Sequence, residues 1–188
     1  MDEVHEKHAV AFPEARRAAG WSFDQIFAGV CQAFSDLRGV SWDMAKEPLI
    51  FTYYIAAPVE KVWDGFVSKD VNRKIFMGAE FAVDLKPGGA MTWSGPGKDG
   101  KPTRYVTGEV LRVEAPKVFE YKFGMGAGAV MSRVRVELTP ETEAVKVVVT
   151  NDEWSHDDPA YAQNADGWPR ILSRLKTLLE TGKTFRPH

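Results

Sequence analysis

Asp166-Gly167-Trp168-Pro169-Arg170-Ile171-Leu172-Ser173-Arg174-Leu175-Lys176-Thr177-Leu178-Leu179 is the stretch on which the fold turns. Trp168, Ile171, Leu172, Leu175, Leu178 and Leu179 recur at three- and four-residue intervals, so a helix drawn through them carries one apolar stripe and leaves Lys176 on its exposed side. Such a stripe must cover a surface. Pro169 lacks a backbone donor and biases Trp168 away from helical geometry. That predicts a main helix starting near Asp166 or kinked there, with any earlier turns from Pro159 to Gln163 set at an angle.

The surface to be covered is written upstream as strands. Phe51, Tyr53 and Ile55 alternate with Ile50, Thr52 and Tyr54 until Ala56-Ala57-Pro58, where proline can open a helix whose one side carries Val59, Val62, Trp63 and Phe66. Phe81, Val83 and Leu85 then alternate up to Lys86-Pro87-Gly88-Gly89, a hairpin signal leading into Met91-Thr92-Trp93. Gly95 to Pro102 reads as a longer hairpin loop. After it, Tyr105 to Val113, Val118 to Phe123, Met131 to Leu138 and Val145 to Thr150 supply four more strands. In these, Val134, Val136 and Leu138 alternate with Arg133, Arg135 and Glu137, and Phe119, Tyr121 and Phe123 with Glu120 and Lys122, so one face is apolar and the charges face water. Short loops between consecutive strands favour an antiparallel meander, and the class is α+β.

Residues 1 to 47 read as a separate N-terminal helical extension, with the main domain over 48 to 188. Ser22 and Gln25 form a capping-box pattern, and Phe23, Ile26, Phe27, Val30, Phe34 and Leu37 keep helical spacing until Gly39. A helix over roughly residues 22 to 38 should therefore dock on the main domain or at a homodimer interface.

Composition narrows the function classes. The 24 basic and 26 acidic residues are scattered through 188 positions for a net charge of -2, which gives no footprint for nucleic acid. No apolar run approaches the ~20 residues that would insert in a membrane, and the single Cys31 excludes an internal disulfide and a thiolate zinc cluster. The acidic start Met1 to Glu6 lacks a signal peptide's basic and apolar regions, which makes the cytoplasm the expected compartment. No Gly-x-Ser-x-Gly elbow, phosphate loop or dinucleotide fingerprint is present, and Gly124-Met125-Gly126-Ala127-Gly128 reads as a hairpin tip because no helix follows it. No cofactor and no metal is expected; His5 and His8 form at most a surface pair.

Four pieces in order carry a family resemblance: Ile55-Ala56-Ala57-Pro58-Val59-Glu60-Lys61-Val62-Trp63, Phe81-Ala82-Val83-Asp84-Leu85-Lys86-Pro87-Gly88-Gly89, Gly108-Glu109-Val110, and Asp166-Gly167-Trp168-Pro169 before an apolar helix. Over about residues 48 to 181 the chain resembles the START-like superfamily, also called SRPBCC or Bet v 1-like, in its branch related to the C-terminal domain of the activator of Hsp90 ATPase. The resemblance implies a helix-grip fold: a curved antiparallel sheet of about six to seven strands wrapped around the long C-terminal helix, with a cavity between them. It implies nothing so definite about activity, since one superfold hosts many functions.

If that cavity exists, Phe51, Tyr53, Trp63, Phe66, Phe81, Trp93, Phe119, Tyr121, Phe123 and Trp168 are candidates for its wall, and Asn151 for a polar group within it. Core packing is the competing account of each ring taken singly. The favoured reading is a binder of a small apolar or aromatic molecule. The alternatives are an enzyme acting on such a molecule, a cyclase, dehydratase or hydrolase using His156 or an acid of Asn151-Asp152-Glu153-Trp154-Ser155-His156-Asp157-Asp158, and a chaperone-interaction module. That acidic segment also suits a plainer role, favouring the positive end of the helix that follows, with Asp158 as its cap.

Overall fold

A computed structural model of the chain describes residues 46–76, 78–97, 99–126 and 129–185. The expected N-terminal helix, with Cys31, His5 and His8, lies outside the described residues, as do Ala127 and Gly128 of the glycine-rich tip. Within them the elements run β1 (Leu49–Ile55), α1 (Val59–Val67), α2 (Lys69–Ile75), β2 (Glu80–Val83), β3 (Ala90–Pro96), β4 (Pro102–Glu114), β5 (Val118–Met125), β6 (Ser132–Pro140), β7 (Val145–Asp152) and α3 (Ala160–Thr181).

The seven strands form one curved sheet in the order β1-β7-β6-β5-β4-β3-β2, antiparallel at every pairing. From β2 to β7 it is a meander, and β1 closes beside β7 with Tyr53 opposite Val147. The period-2 pattern places the apolar side chains on one face: Val134, Val136 and Leu138 of β6, Val145, Val147 and Val149 of β7, and Phe119, Tyr121 and Phe123 of β5 are all buried. The turn from β2 to β3 depends on glycine, because Gly88 sits at φ +80 and a Cβ at Gly89 would lie 1.9 Å from the Asp84 carbonyl oxygen. The same turn is pinned to β4: the Gly88 N–H donates to Val110 O and the Val110 N–H donates to Gly89 O, each at 2.8 Å.

α3 packs against β1, α1 and α2, with Leu172 and Leu175 wholly buried and Ile171, Leu178 and Leu179 partly so. Gly65 permits the close approach of α1, since a Cβ there would stand 2.5 Å from Leu175 Cδ1. Polar straps tie β1 to the same helix. The Tyr53 hydroxyl donates to Pro169 O at 3.2 Å and lies 3.3 Å from Ser173 Oγ, the Ala56 N–H donates to Glu180 Oε1 at 2.8 Å, and Lys176 Nζ donates to Tyr54 O at 2.6 Å.

Four expectations need correction. Of the two alternatives for the closing helix, the start near Asp166 is overturned: α3 begins at Ala160 and runs through Pro169. The proline removes only its own rung of the ladder, and burial of Trp168 outweighs the local bias against helix. The first turn is fastened by Asp158 Oδ1, which accepts from the Ala160 N–H at 2.9 Å, and the helix ends at Gly182, whose left-handed φ of 74 lets its N–H reach Leu178 O. A second short helix, α2, follows α1; its sequence, Lys-Asp-Val-Asn-Arg-Lys-Ile, offers too few apolar positions to betray it. Lys176 is not an idle solvent residue, as its bonds to Tyr54 O and Glu180 show. Finally, Glu120 does not face open water: it is 8% exposed, covered by Arg135 at 3.1 Å and Arg133 at 3.7 Å.

Candidate functional site

Between the open ends of β3, β4 and β5 and the first half of α3 the core does not close. It leaves a cavity of about 290 Å³. The sheet side is made by Trp93, Tyr105, Val106, Tyr121, Phe123 and Met125, the helix side by Gln163, Asn164, Gly167, Trp168 and Ile171, and one end by Phe76 and Ala79 after α2. No lining residue is charged. Each contributor arrives by its local pattern: β5 alternates Tyr121 and Phe123 inward, and two turns of α3 stack Asn164, Gly167, Trp168 and Ile171 on one side.

The rings are held from behind. Trp93 Nε1 donates to Asn72 Oδ1 at 3.3 Å, and Asn72 itself is anchored by donating to Gly65 O and Ser68 O. Trp168 Nε1 donates to Asn151 Oδ1 at 3.2 Å, while Asn151 Nδ2 donates to Ser132 Oγ and Arg133 O. Both indole N–H groups are therefore satisfied in the core, which fixes the two rings without presenting a donor to the cavity. Phe76 and Phe81 stack on Trp93 with centroids 5.3 and 4.6 Å away, and Tyr121 stands between Phe119 and Phe123 at 4.9 and 6.1 Å.

Of the polar groups in the wall, Tyr105 donates its hydroxyl to Pro96 O, and Asn164 Nδ2 donates to Ala160 O at 2.9 Å and approaches Met125 Sδ at 3.7 Å. Tyr121 differs. Burial alone, with no hydrogen bond contributing, pushes its phenol well above the ordinary tyrosine value, so it stays protonated and is a donor at neutral pH.

The structure thus divides the residues singled out from sequence. Trp93, Tyr121, Phe123 and Trp168 line the cavity. Asn151 does not line it; it holds Trp168 from behind. Trp63, Phe66, Phe81 and Phe119 belong to the packed core, Trp63 edge-on to Phe119 at 6.1 Å, while Phe51 packs partly buried against it and Tyr53 straps β1 to α3. The reason is distance along the sheet: among the described residues α1 packs on β6 and α3 on β1, while the cavity lies toward β3 to β5. Phe76, Ala79, Tyr105, Val106, Met125, Gln163, Asn164, Gly167 and Ile171 are wall residues that the sequence does not mark as such, Ile171 standing out only as part of the helix stripe. Asn164 and Gly167 carry no ring to flag them, yet their spacing from Trp168 on one helix was available as a signal.

The acidic segment lies elsewhere. His156 is largely exposed, 3.7 Å from Asp157, and neither lines the cavity. Among the described residues no group of three or more His, Cys, Asp or Glu is placed to hold a metal ion. Asp152 and Glu153 instead serve a charged cluster on the outer sheet face, where Arg133 donates to both carboxylate oxygens of Asp152 at 2.9 and 2.8 Å and Lys122 reaches Glu153 at 3.3 Å. A second concavity of about 420 Å³ sits where the β6–β7 turn, Glu141 to Ala144, meets Ala56 to Val59. It is larger but open, and no aromatic ring lines it. No described helix is long and apolar enough to cross a membrane.

A seven-stranded antiparallel sheet closed by a long C-terminal helix, with an aromatic cavity between them, defines a helix-grip protein. Residues 56–180 match the sequence model of the Activator of Hsp90 ATPase homolog 1-like proteins, and the chain belongs to that family. Solved structures of the same fold include ChR145 from Cytophaga hutchinsonii, 25% identical, covering 73% of this chain and 97% of its own, with a TM-score of 0.60. MLL2253 from Mesorhizobium loti is 20% identical over 73% of this chain and 99% of its own, TM-score 0.61. DynU16, a protein of the dynemicin biosynthetic locus, is 22% identical over 76% of this chain but 50% of its own, TM-score 0.62. No curated protein matches the sequence.

Proposed function

We propose that the chain binds a small apolar or aromatic molecule in the cavity between β3–β5 and α3. The observation that carries the reading is the wall itself: uncharged, rich in rings, with both indole N–H groups bonded away from it. An empty space with such a wall holds water poorly and gains by taking apolar surface. Its volume of about 290 Å³ stands near the lower end of ligand sites, roughly 300 to 1,000 Å³, and above the ~150 Å³ of an apolar cavity that accepts benzene, so a two-ring molecule is the fitting size. The family is one whose members commonly bind ligands or cyclise polyketides. Nothing in the cavity favours catalysis by His156.

Gly167 gives the test. It lines the cavity from within α3, and a Cβ built there meets no atom within 4 Å. Gly167→Leu should fill the space and keep the helix. Titration with naphthalene, followed by tryptophan fluorescence, should saturate for the native chain and fail for a Gly167→Leu protein of equal or higher melting temperature. Equal binding by both would remove this cavity as the site.

A further inference from the structure

We infer that the cavity selects a neutral, two-ring-sized molecule bearing a hydrogen-bond acceptor, such as a ketone, read by the hydroxyl of Tyr121; this specifies the ligand class of the binding site proposed above and rests on that proposal. The polar inventory of the wall leads there. Trp93 and Trp168 have spent their N–H groups on Asn72 and Asn151, and Tyr105 has spent its hydroxyl on Pro96 O. Asn164 directs its amide nitrogen to Ala160 O and Met125 Sδ, which leaves it an acceptor toward the cavity. Gln163 stands exposed at the mouth.

Tyr121 is 5% exposed, and no described residue hydrogen-bonds its hydroxyl. A hydrocarbon filling the cavity would leave this donor without a partner, which is costly, whereas an acceptor on the ligand would satisfy it. A neutral acceptor is specified because no lining side chain could pair with a charge, and an anion entering the cavity would lose its hydration uncompensated. A phenol would meet Tyr121 as well, but the ketone isolates acceptance from donation.

The experiment compares 2-acetylnaphthalene, 2-ethylnaphthalene and 2-naphthoate, nearly equal in size, on the full chain and on Tyr121→Phe, by tryptophan fluorescence with calorimetric confirmation. The native protein should bind the ketone roughly three- to tenfold more tightly than the hydrocarbon, the range a single net hydrogen bond supplies, and the naphthoate most weakly. Tyr121→Phe, with an unlowered melting temperature showing that it folds, should bind the two neutral probes equally. Equal affinities in the native protein, a ketone preference that survives in Tyr121→Phe, or naphthoate bound as tightly as the ketone would each overturn the inference while the hydrocarbon's saturable binding keeps the site. Failure of all three probes to bind the native protein would overturn the proposed function itself.

Discussion

Leu175 and Gly65 show how tightly single residues are set where α3 crosses α1. Leu175 is wholly buried, and its methyl group already occupies the place a Cβ at Gly65 would need. Leu175→Ala should therefore cost about 2 to 5 kcal/mol in denaturant melts, as large-to-small core changes do. Gly65→Ala should cost about 1 to 3 kcal/mol from the opposite cause, overpacking, despite alanine's better helix propensity. Gly167 is the counterexample on the facing helix. With open space around its missing Cβ, Gly167→Ala should stabilise by about 0.5 to 1 kcal/mol, and a loss of stability there would mean the cavity is not open at that point. Three substitutions thus separate a closed contact from an open one.

At the scale of elements, α3 is held to the edge strand β1 by hydrogen bonds as well as by its stripe, and one of them is pH-sensitive. The Ala56 N–H and then Lys176 hold the Glu180 carboxyl below its ordinary value near 4.5. A group depressed in the folded state contributes stability that is present above its unfolded value and is lost as the pH falls through the folded one. The native protein should accordingly lose melting temperature below about pH 4.5, and Glu180→Gln should show a shallower loss there with a lower plateau at neutral pH. Identical acid limbs for the two proteins would show that this strap contributes nothing. The elements themselves were largely legible, because alternation in Val145 to Thr150 or Met131 to Leu138 and the three-to-four spacing from Trp168 to Leu179 are direct imprints of which face is buried. Three things were not. α2 is too polar to announce itself, the passage of α3 through Pro169 is decided by tertiary packing on Trp168, and the role of Lys176 needs the position of Tyr54 O, a backbone group more than a hundred residues away in the chain.

For the whole molecule, order along the chain and closure in space are linked: β1 leaves through α1 and α2, the meander returns from β2 to β7, and α3 is laid back over the result. Sequence showed that rings would face the space beneath the helix but not where that space would stay open, since this depends on how far α1 and α3 reach across the sheet. Hence Phe81 and Phe119, read as wall, are core, whereas Tyr105, Met125 and Gly167 are wall. On the function proposed above, the opening beside Trp93 and Trp168 takes a small aromatic molecule. The most direct measurement is a titration of the isotope-labelled full chain with naphthalene, observed by NMR on the two indole N–H signals and on the backbone of the β6–β7 turn. Saturable shifts of the Trp93 and Trp168 indoles, with Glu141 to Ala144 unmoved, are the expected outcome; indoles that do not shift up to the probe's solubility, or shifts confined to that turn, would contradict binding at this site.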